Sequence, residues 1–531
     1  MSNTVGQYLV GLLAANGIDT VFGIPGVHNL ELYRGLAASG LRHVLVHHEQ
    51  GAGFAADGYA RSSGRPAAAF VISGPGLTNI LTAAAQAYSD SVPLLVIAST
   101  PARATLGKHW GVLHELRDQH AVAAGVFGVA RTAASADDVR DHLRVCFASL
   151  RSGRARPAYL EIPLDLLAET TSLQAAAFEP AAPAPRAQPA QIDAAIGLLS
   201  SAERPLIIAG GGARHAGAEL LELVDKVDGL LATTAAGKGL LPEKHAANLG
   251  ASLPYREVQA LAADADVVLA VGSELGETDL FAGFKLPLAG RMIRIDIDPE
   301  KLADPYGAGL ALWGDARTSL ASINRGLTRR TGWRARSGGA APVRALIDAH
   351  FHAGDAPAQL AVLGAIRAAL PADSVVFSDM TQIAYLGNYA YPVDAPGCWF
   401  HPSGYGTLGF ALPAALGAKV ASPARAVLAL AGDYGLQFTL NELMTAVEAG
   451  HALPIVVWNN AALGQIRDDM LAARIAPIGV VGRNPDFVAL AHACGAAGVR
   501  ARNAPELTAA VRAALDRPLP TVIEAAAGDY R

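Results

Sequence analysis

Short apolar, β-branched runs recur along the chain, each followed by a longer stretch rich in Ala and Leu. The early runs are Thr20–Phe22, His43–Val46, Ala68–Ile72, Leu94–Ala98 and Tyr159–Ile162. A middle set is Pro205–Ala209, Val267–Val271 and Met292–Ile297. A late set is Val375–Ser378, Ala426–Ala431, Pro454–Trp458 and Thr521–Glu524. Short runs flanked by Gly, Asp or Pro read as strands, and the stretches between them as helices. Several runs are apolar throughout, as strands covered on both faces are. The alternation predicts an α/β protein of three doubly wound parallel-sheet domains. Such sheets bind ligands at the carboxyl ends of their strands, so chemistry is expected just after the runs.

Two stretches break the pattern. Phe178–Gln191 is rich in Pro and Ala and is expected to hold neither a helix nor a ladder. Thr328 to Pro342 is basic, Gly-rich and aperiodic. They divide the chain into residues 1–177, 192–327 and 343–531. A length of 531 residues fits about three domains of roughly 150 residues each. With 51% hydrophobic and 17% charged residues, a large core is easily buried. Forty-two basic against 47 acidic residues leave a net charge of −5, which gives no electrostatic case for nucleic acid or an anionic membrane. No apolar run reaches the length of a membrane span. Cys146, Cys398 and Cys494 are far apart and form neither a metal-ligand spacing nor a disulfide framework. The start carries no signal-peptide pattern, and a cytoplasmic location is expected.

The densest chemistry follows Ala426–Ala431. The chain reads Gly432-Asp433-Tyr434-Gly435, then a helical stretch, then a run ending in Asn459-Asn460. Asp433 and Asn460 are 27 positions apart, enough to leave one strand, cross by a helix and return on a neighbouring parallel strand. Both then lie at one edge of the sheet. A carboxylate and an amide oxygen there make a hard-oxygen site suited to Mg²⁺ shared with phosphates. Gly432 and Gly435 allow close approach of the backbone to a diphosphate. Either half alone is an ordinary turn; the pair at this spacing is the signal. The stretch resembles the thiamine diphosphate motif, with Tyr434 where its Gly-Asp-Gly opening has the second glycine. The resemblance implies thiamine diphosphate and Mg²⁺ as cofactors. It also implies Asp433, Asn460 and the backbone carbonyl of Ala462 as metal ligands. The Tyr434 departure bears on the backbone fit around the phosphates.

A second segment, His47-His48-Glu49-Gln50-Gly51-Ala52-Gly53, follows a strand and opens a Gly/Ala-rich helix. A carboxylate at that edge loses part of its hydration, which suits a group that exchanges a proton near neutral pH. An isolated helix-start glutamate would be explained by the macrodipole alone. The segment, however, resembles the one carrying the essential glutamate of the acetolactate synthase and pyruvate oxidase-like family. That resemblance makes Glu49 the partner of the cofactor's aminopyrimidine ring nitrogen. It makes Leu408, in Gly404–Ala415, the wedge that bends the cofactor, and the Gly406 carbonyl an acceptor for the pyrimidine amino group. Val21–Gly26 and Ser73–Asn79 resemble loops lining the same pocket, and Thr381 or Gln382 is placed for a diphosphate contact. The resemblance spans nearly the whole chain, in the order pyrimidine-binding, middle and diphosphate-binding domain. It implies a cofactor held between two subunits, hence a homodimer or homotetramer. In the middle domain Gly210-Gly211-Gly212 and Asp296-Ile297-Asp298-Pro299 follow strands. Some relatives carry FAD there, but a lone Gly triplet is weak evidence, and FAD is not expected.

Substrate choice rests on the stretch after Asn460, which in the family starts a helix bordering the substrate. Acetolactate synthases carry an aromatic residue where this chain has Asp469. A carboxylate suits a distal cation such as guanidinium. Asn459–Met470 and Ser378–Asn388 resemble the corresponding parts of 5-guanidino-2-oxopentanoate decarboxylases. Asp469, Asp468, Gln119 and Ile466 are the candidate substrate residues, with Glu115 and Asp118 as further acids. These acids read equally as surface groups or as ion pairs with Arg117 and Arg467. His28, His47, His48, His114 and His401 lie in or near pocket segments, and their positions do not say which moves a proton. The expected activity is non-oxidative decarboxylation of a 2-oxo acid. The alternative is a carboligase of acetolactate synthase type joining two 2-oxo acids. Glu49, Asp433 and Asn460 together argue against a non-enzymatic binding protein. A nicotinamide dehydrogenase would need a clean Gly-x-Gly-x-x-Gly after a strand, which is lacking.

Overall fold

A computed structural model describes residues 3–180, 182–280, 285–288, 290–352, 354 and 356–530. Positions 1, 2 and 531, and position 181 in the first Pro/Ala stretch, lie outside them. The chain builds three six-stranded sheets, every neighbouring pair within them parallel. The first sheet has the spatial order Arg42–Leu45, Thr20–Gly23, Ala67–Val71, Leu94–Thr100, Ala158–Pro163, Val129–Thr132. The second runs Asn248–Gly250, Leu230–Thr233, Pro205–Ala209, Val267–Val271, Arg291–Asp296, Leu310–Trp313. The third runs Trp399–Phe400, Val375–Ser378, Val427–Gly432, Leu453–Asn459, Pro520–Ala526, Ala497–Arg500. The inner strands are fully buried, which is why they read as unbroken apolar runs.

In each sheet the chain winds first one way and then the other, leaving a crevice where the direction reverses. In the first sheet the reversal falls between Thr20–Gly23 and Ala67–Val71. In the third it falls between Val375–Ser378 and Val427–Gly432. In the third sheet the loops leaving those two strands carry Thr381, Gln382, Asp433, Tyr434 and Gly435, and the neighbouring strand Leu453–Asn459 leads to Asn460 and Ala462.

The first and third domains share one hydrophobic core. Its seam is the helix Glu49–Ser63 against the helix Ala411–Ala421. These helices meet backbone to backbone: a methyl group added at Gly58 would fall on the Ala414 carbonyl, and one at Gly417 on the Ala55 carbonyl. Arg61 crosses the seam. Its guanidinium bonds Asp57 and Asp90 and stands over the Phe410 ring at 5.3 Å.

Both breaks in the pattern are more ordered than their composition suggests. The first ends inside a helix, Pro189–Ser201. Pro189 opens it, where its fixed φ costs nothing, and Gln188 and Gln191 cap each other. The second holds the helix Trp333–Ser337 and the start of Ala341–Asp348. Arg334 pairs with Asp228 at 2.8 Å and Asp225 at 2.9 Å, and Trp333 and Ala340 pack on the middle-domain core. Its basic charge is therefore used in docking. No helix among the described residues is long and apolar enough to cross a membrane.

Candidate active site

The third-domain edge is built around Asp433. Gly432 pairs in register with Trp458, so Asp433 and Asn460 leave adjacent strands at the same end. Two helices, Asp433–Phe438 and Glu442–Ala449, fill the crossover where one was expected. Burial pushes the Asp433 carboxyl above the usual carboxylate range, opposed by hydrogen bonds from Asn484 and from the Tyr434 and Ala461 backbone. The Asn484 amide donates to Asp433 Oδ2 at 2.6 Å and to Asn459 Oδ1 at 2.8 Å. Asn484 was not anticipated; it lies 24 positions beyond Asn460, outside the motif. Ala461 takes a left-handed conformation, φ 53°, which turns the chain back. Asn460 Oδ1 then accepts from the Ala462 N–H at 3.2 Å, and Ala462 bridges to Val481.

The bareness of the two motif glycines serves the neighbouring loop. A Cβ on Gly432 would lie 2.9 Å from Thr381 Oγ1, and one on Gly435 would lie 2.9 Å from the Asp379 carboxyl carbon. Tyr434 fits without a left-handed backbone, and its phenol lies against Gly482. Thr381 precedes the helix Gln382–Ala390 and leaves its hydroxyl free of any capping bond.

The segment Gly404–Gly409 is held at both sides. Gly404 N–H donates to Asp90 at 2.8 Å, and the Thr407 hydroxyl to Gln86 Oε1 at 3.1 Å. Gly409 N–H donates to the Asp379 carboxylate at 3.1 Å. Gly406 and Gly409 have φ of 71° and 84°, so half-buried Leu408 stands between two left-handed turns. That is the presentation a wedge needs. Asp379 is wholly buried, and desolvation pushes its carboxyl up to about 6 against four backbone N–H bonds.

Glu49 is supplied by the first domain. It opens its helix behind His48, whose ring accepts from Gln50 N–H, and its carboxylate accepts from Asn79 at 2.9 Å. Among the described residues no hydrogen bond joins Glu49 to Gly406, Leu408, Asp433 or Asn460.

The substrate candidates separate. Gln382 donates to Asp468 at 2.8 Å, and both line a cleft of about 470 Å³ with Tyr385 and Gln465. Asp468 also pairs with Arg467 at 2.9 Å. Asp469 is exposed and accepts from Gln465, though its charge is felt at the Tyr385 phenol. Ile466 is exposed on the same helix, Gly464–Ala472. Gln119 is turned into the first-domain core, against the expectation of a substrate contact. Its amide nitrogen meets Ser99 O, Tyr159 Oη and Glu161, and its oxygen holds Gly74 N–H. Glu115 and Asp118 serve turns, accepting from Gly111 N–H and Ala121 N–H.

The histidines also divide. His47 bonds Thr445, and His401 is wholly buried, pushed down to about 3 by desolvation and by Arg61. His28 and His114 meet edge to face at 4.7 Å, and His28 bonds Ser73, just before the helix that carries Asn79. Burial and His114 together lower the pKa of His28. In the middle domain the Gly210–Gly212 triplet packs directly on Gly272. Asp298 caps its own helix and pairs with Arg154, so these residues have packing roles.

Three family models match in order. They are the thiamine pyrophosphate enzyme N-terminal TPP binding domain over residues 3–122, the central domain over 192–323, and the C-terminal TPP binding domain over 379–525. The chain belongs to the thiamine pyrophosphate enzymes. This thiamine pyrophosphate enzyme is 49% identical over 98% of its length to 93% of a Pseudomonas aeruginosa protein named "Probable 2-ketoarginine decarboxylase AruI". It is 30% identical over 96% of its length to 92% of the acetolactate synthase isozyme 3 large subunit of Escherichia coli. It is 31% identical over 94% of its length to 83% of an acetolactate synthase large subunit of Mycobacterium tuberculosis. The third-domain edge suits the diphosphate end of the cofactor. It has a hard-oxygen donor set, a free Thr381 hydroxyl and a bare backbone at Gly432 and Gly435.

Proposed function

We propose that this thiamine pyrophosphate enzyme decarboxylates 5-guanidino-2-oxopentanoate without oxidation, releasing an aldehyde and CO₂. One observation carries the reading: Asp468 lines the cleft beside Gln382, next to the edge of Thr381, Gly432 and Asp433, with Asp469 one residue on. A guanidinium donates two parallel hydrogen bonds to a carboxylate. The similarity to a protein named for 2-ketoarginine supports the same substrate class. We place Asp468 ahead of Asp469 and Ile466 as the contact, and give Gln119 a positioning role on the Gly74 loop.

Bound there, thiamine diphosphate supplies a nucleophilic carbon and an electron sink for loss of CO₂. The chain's own residues bind and orient. Asp433, Asn460 and the Ala462 carbonyl would hold Mg²⁺, a hard cation that shares its oxygens with phosphates. Gly432, Tyr434, Gly435, Thr381 and Gln382 would border the diphosphate. Gly406 and Leu408 border the pyrimidine, and Glu49 exchanges a proton with its ring nitrogen. No flavin is assigned.

We infer a homodimer, or a homotetramer of such dimers, in which Glu49 of the partner subunit completes the site on each third domain. Two features support this: among the described residues the Glu49 side chain forms no hydrogen bond with the third-domain candidates, and apolar residues stand exposed near both. Val27 and Trp110 lie on first-domain loops and Leu30 opens a first-domain helix, while Phe438, Ile478 and Val481 lie in the third domain. A cytoplasmic location belongs to the same reading.

Carboligation is the second reading, favoured by similarity to acetolactate synthases along the chain. Product analysis separates the two: an aldehyde supports decarboxylation, whereas an acetohydroxy acid from pyruvate would replace it.

A further inference from the structure

A second chamber, of about 410 Å³, lies between the middle and third domains, within the usual size of small-molecule sites. It opens at the carboxyl ends of the middle sheet. There Pro205–Ala209 is flanked by Leu230–Thr233 on one side and Val267–Val271 on the other, and the winding direction reverses. Thr233 ends one flanking strand, and Asp279 follows the other. Open α/β sheets place ligands in such a crevice.

Its walls are aromatic. Tyr255, Phe351 and Tyr389 pack on one another with centroids 5.2–5.9 Å apart, and Tyr385 closes the side toward the catalytic cleft. Asp279 is the one charged group among the described lining residues. It forms no ion pair with a described residue, and its hydrogen bond comes from the Ala235 backbone. Desolvation pushes its carboxyl up to about 7. Thr233 Oγ1 is buried without a hydrogen-bond partner. A carboxylate and a hydroxyl so placed leave desolvation uncompensated. A phosphate-bearing ligand would meet no cation among the described lining residues. An organic cation would find a charge partner and ring faces. A guanidinium fits best, because its plane stacks on aromatic faces while its edge donates to a carboxylate.

We propose that this chamber is a second, non-catalytic binding site for a small guanidinium compound, held by Asp279 and stacked on the Tyr255–Tyr389 wall. The proposal does not rest on the catalytic assignment. The site touches the helix Gln382–Ala390, whose first residue lines the catalytic cleft.

Calorimetric titration of the full-length protein with L-arginine tests it, with L-citrulline as the uncharged isostere. One arginine per chain should bind, with citrulline at least about tenfold weaker. Asp279→Asn and, separately, Tyr255→Leu should each weaken arginine by about tenfold or more. Asp468→Asn should leave it unchanged. Two variants guard against a folding defect in either, and circular dichroism verifies each. Arginine binding that survives both changes, that is lost in Asp468→Asn, or that is absent altogether would overturn the proposal.

Discussion

Asn484 gives the sharpest test of how the proposed Mg²⁺ edge is assembled. Its one amide nitrogen donates to Asp433 Oδ2 at 2.6 Å and to Asn459 Oδ1 at 2.8 Å, while its oxygen accepts from Gln437 at 3.1 Å. Asn484→Ala removes the only side-chain donor, among the described residues, to a buried carboxylate that desolvation already disfavours as an anion. A hydrogen bond to a charged group contributes about 1.5–3 kcal/mol. Loss of a group orienting a metal ligand costs about 10- to 100-fold in metal affinity. The two figures agree, since about 1.4 kcal/mol is a factor of ten. The expected result is a Mg²⁺ midpoint raised about 10- to 100-fold, with turnover near wild type once Mg²⁺ is saturating. Mg²⁺ titration with thiamine diphosphate present, followed by intrinsic fluorescence and by activity, reads both; Trp458 lies beside Asn459. An unchanged midpoint in a folded variant would refute the reasoning, as would a loss of turnover that Mg²⁺ does not restore.

Other outcomes follow from the same geometry. Glu49→Gln should abolish CO₂ release while the thermal midpoint stays within a few degrees of wild type; measurable turnover would remove Glu49 from catalysis. Gly417→Ala drives a methyl group onto the Ala55 carbonyl and should cost about 1–3 kcal/mol in urea unfolding; an unchanged midpoint would mean the helix seam yields freely. Asp379 has a folded value of about 6, above that of a free aspartate, so ionisation opposes folding. Its stabilising contribution is complete below the ordinary value of about 4 and lost as pH rises through about 6. Asp379→Asn should flatten that part of the stability–pH curve, and parallel curves for variant and wild type would count against the assignment.

The architecture was largely legible because the inner strands are buried on both faces and so carry unbroken apolar runs. Most of the strands that escaped notice lie at sheet edges: Val129–Thr132, Leu310–Trp313 and Ala497–Arg500 are half-exposed and mixed in composition. Leu230–Thr233 is inner and buried, but Leu-Leu-Ala-Thr suits a helix equally well. That Asp433 and Asn460 share one sheet edge was legible because they bracket one crossover between adjacent parallel strands. Asn484 was not, because it returns from a loop with no regular spacing to either. Gln119 misled for a similar reason: a polar residue in a pocket-like segment gives no sign that its amide is consumed by Ser99, Tyr159 and Glu161. The preference for Asp468 over Asp469 needs the helix phase, because one residue turns a helical side chain by about 100°.

The central claim is tested most directly by CO₂ release from purified protein with thiamine diphosphate and Mg²⁺, comparing 5-guanidino-2-oxopentanoate with pyruvate and with branched and aromatic 2-oxo acids. The account predicts a kcat/KM for the guanidino acid at least about tenfold above every other substrate, with that advantage lost in Asp468→Asn. Preference for pyruvate with an acetohydroxy acid as product would contradict it.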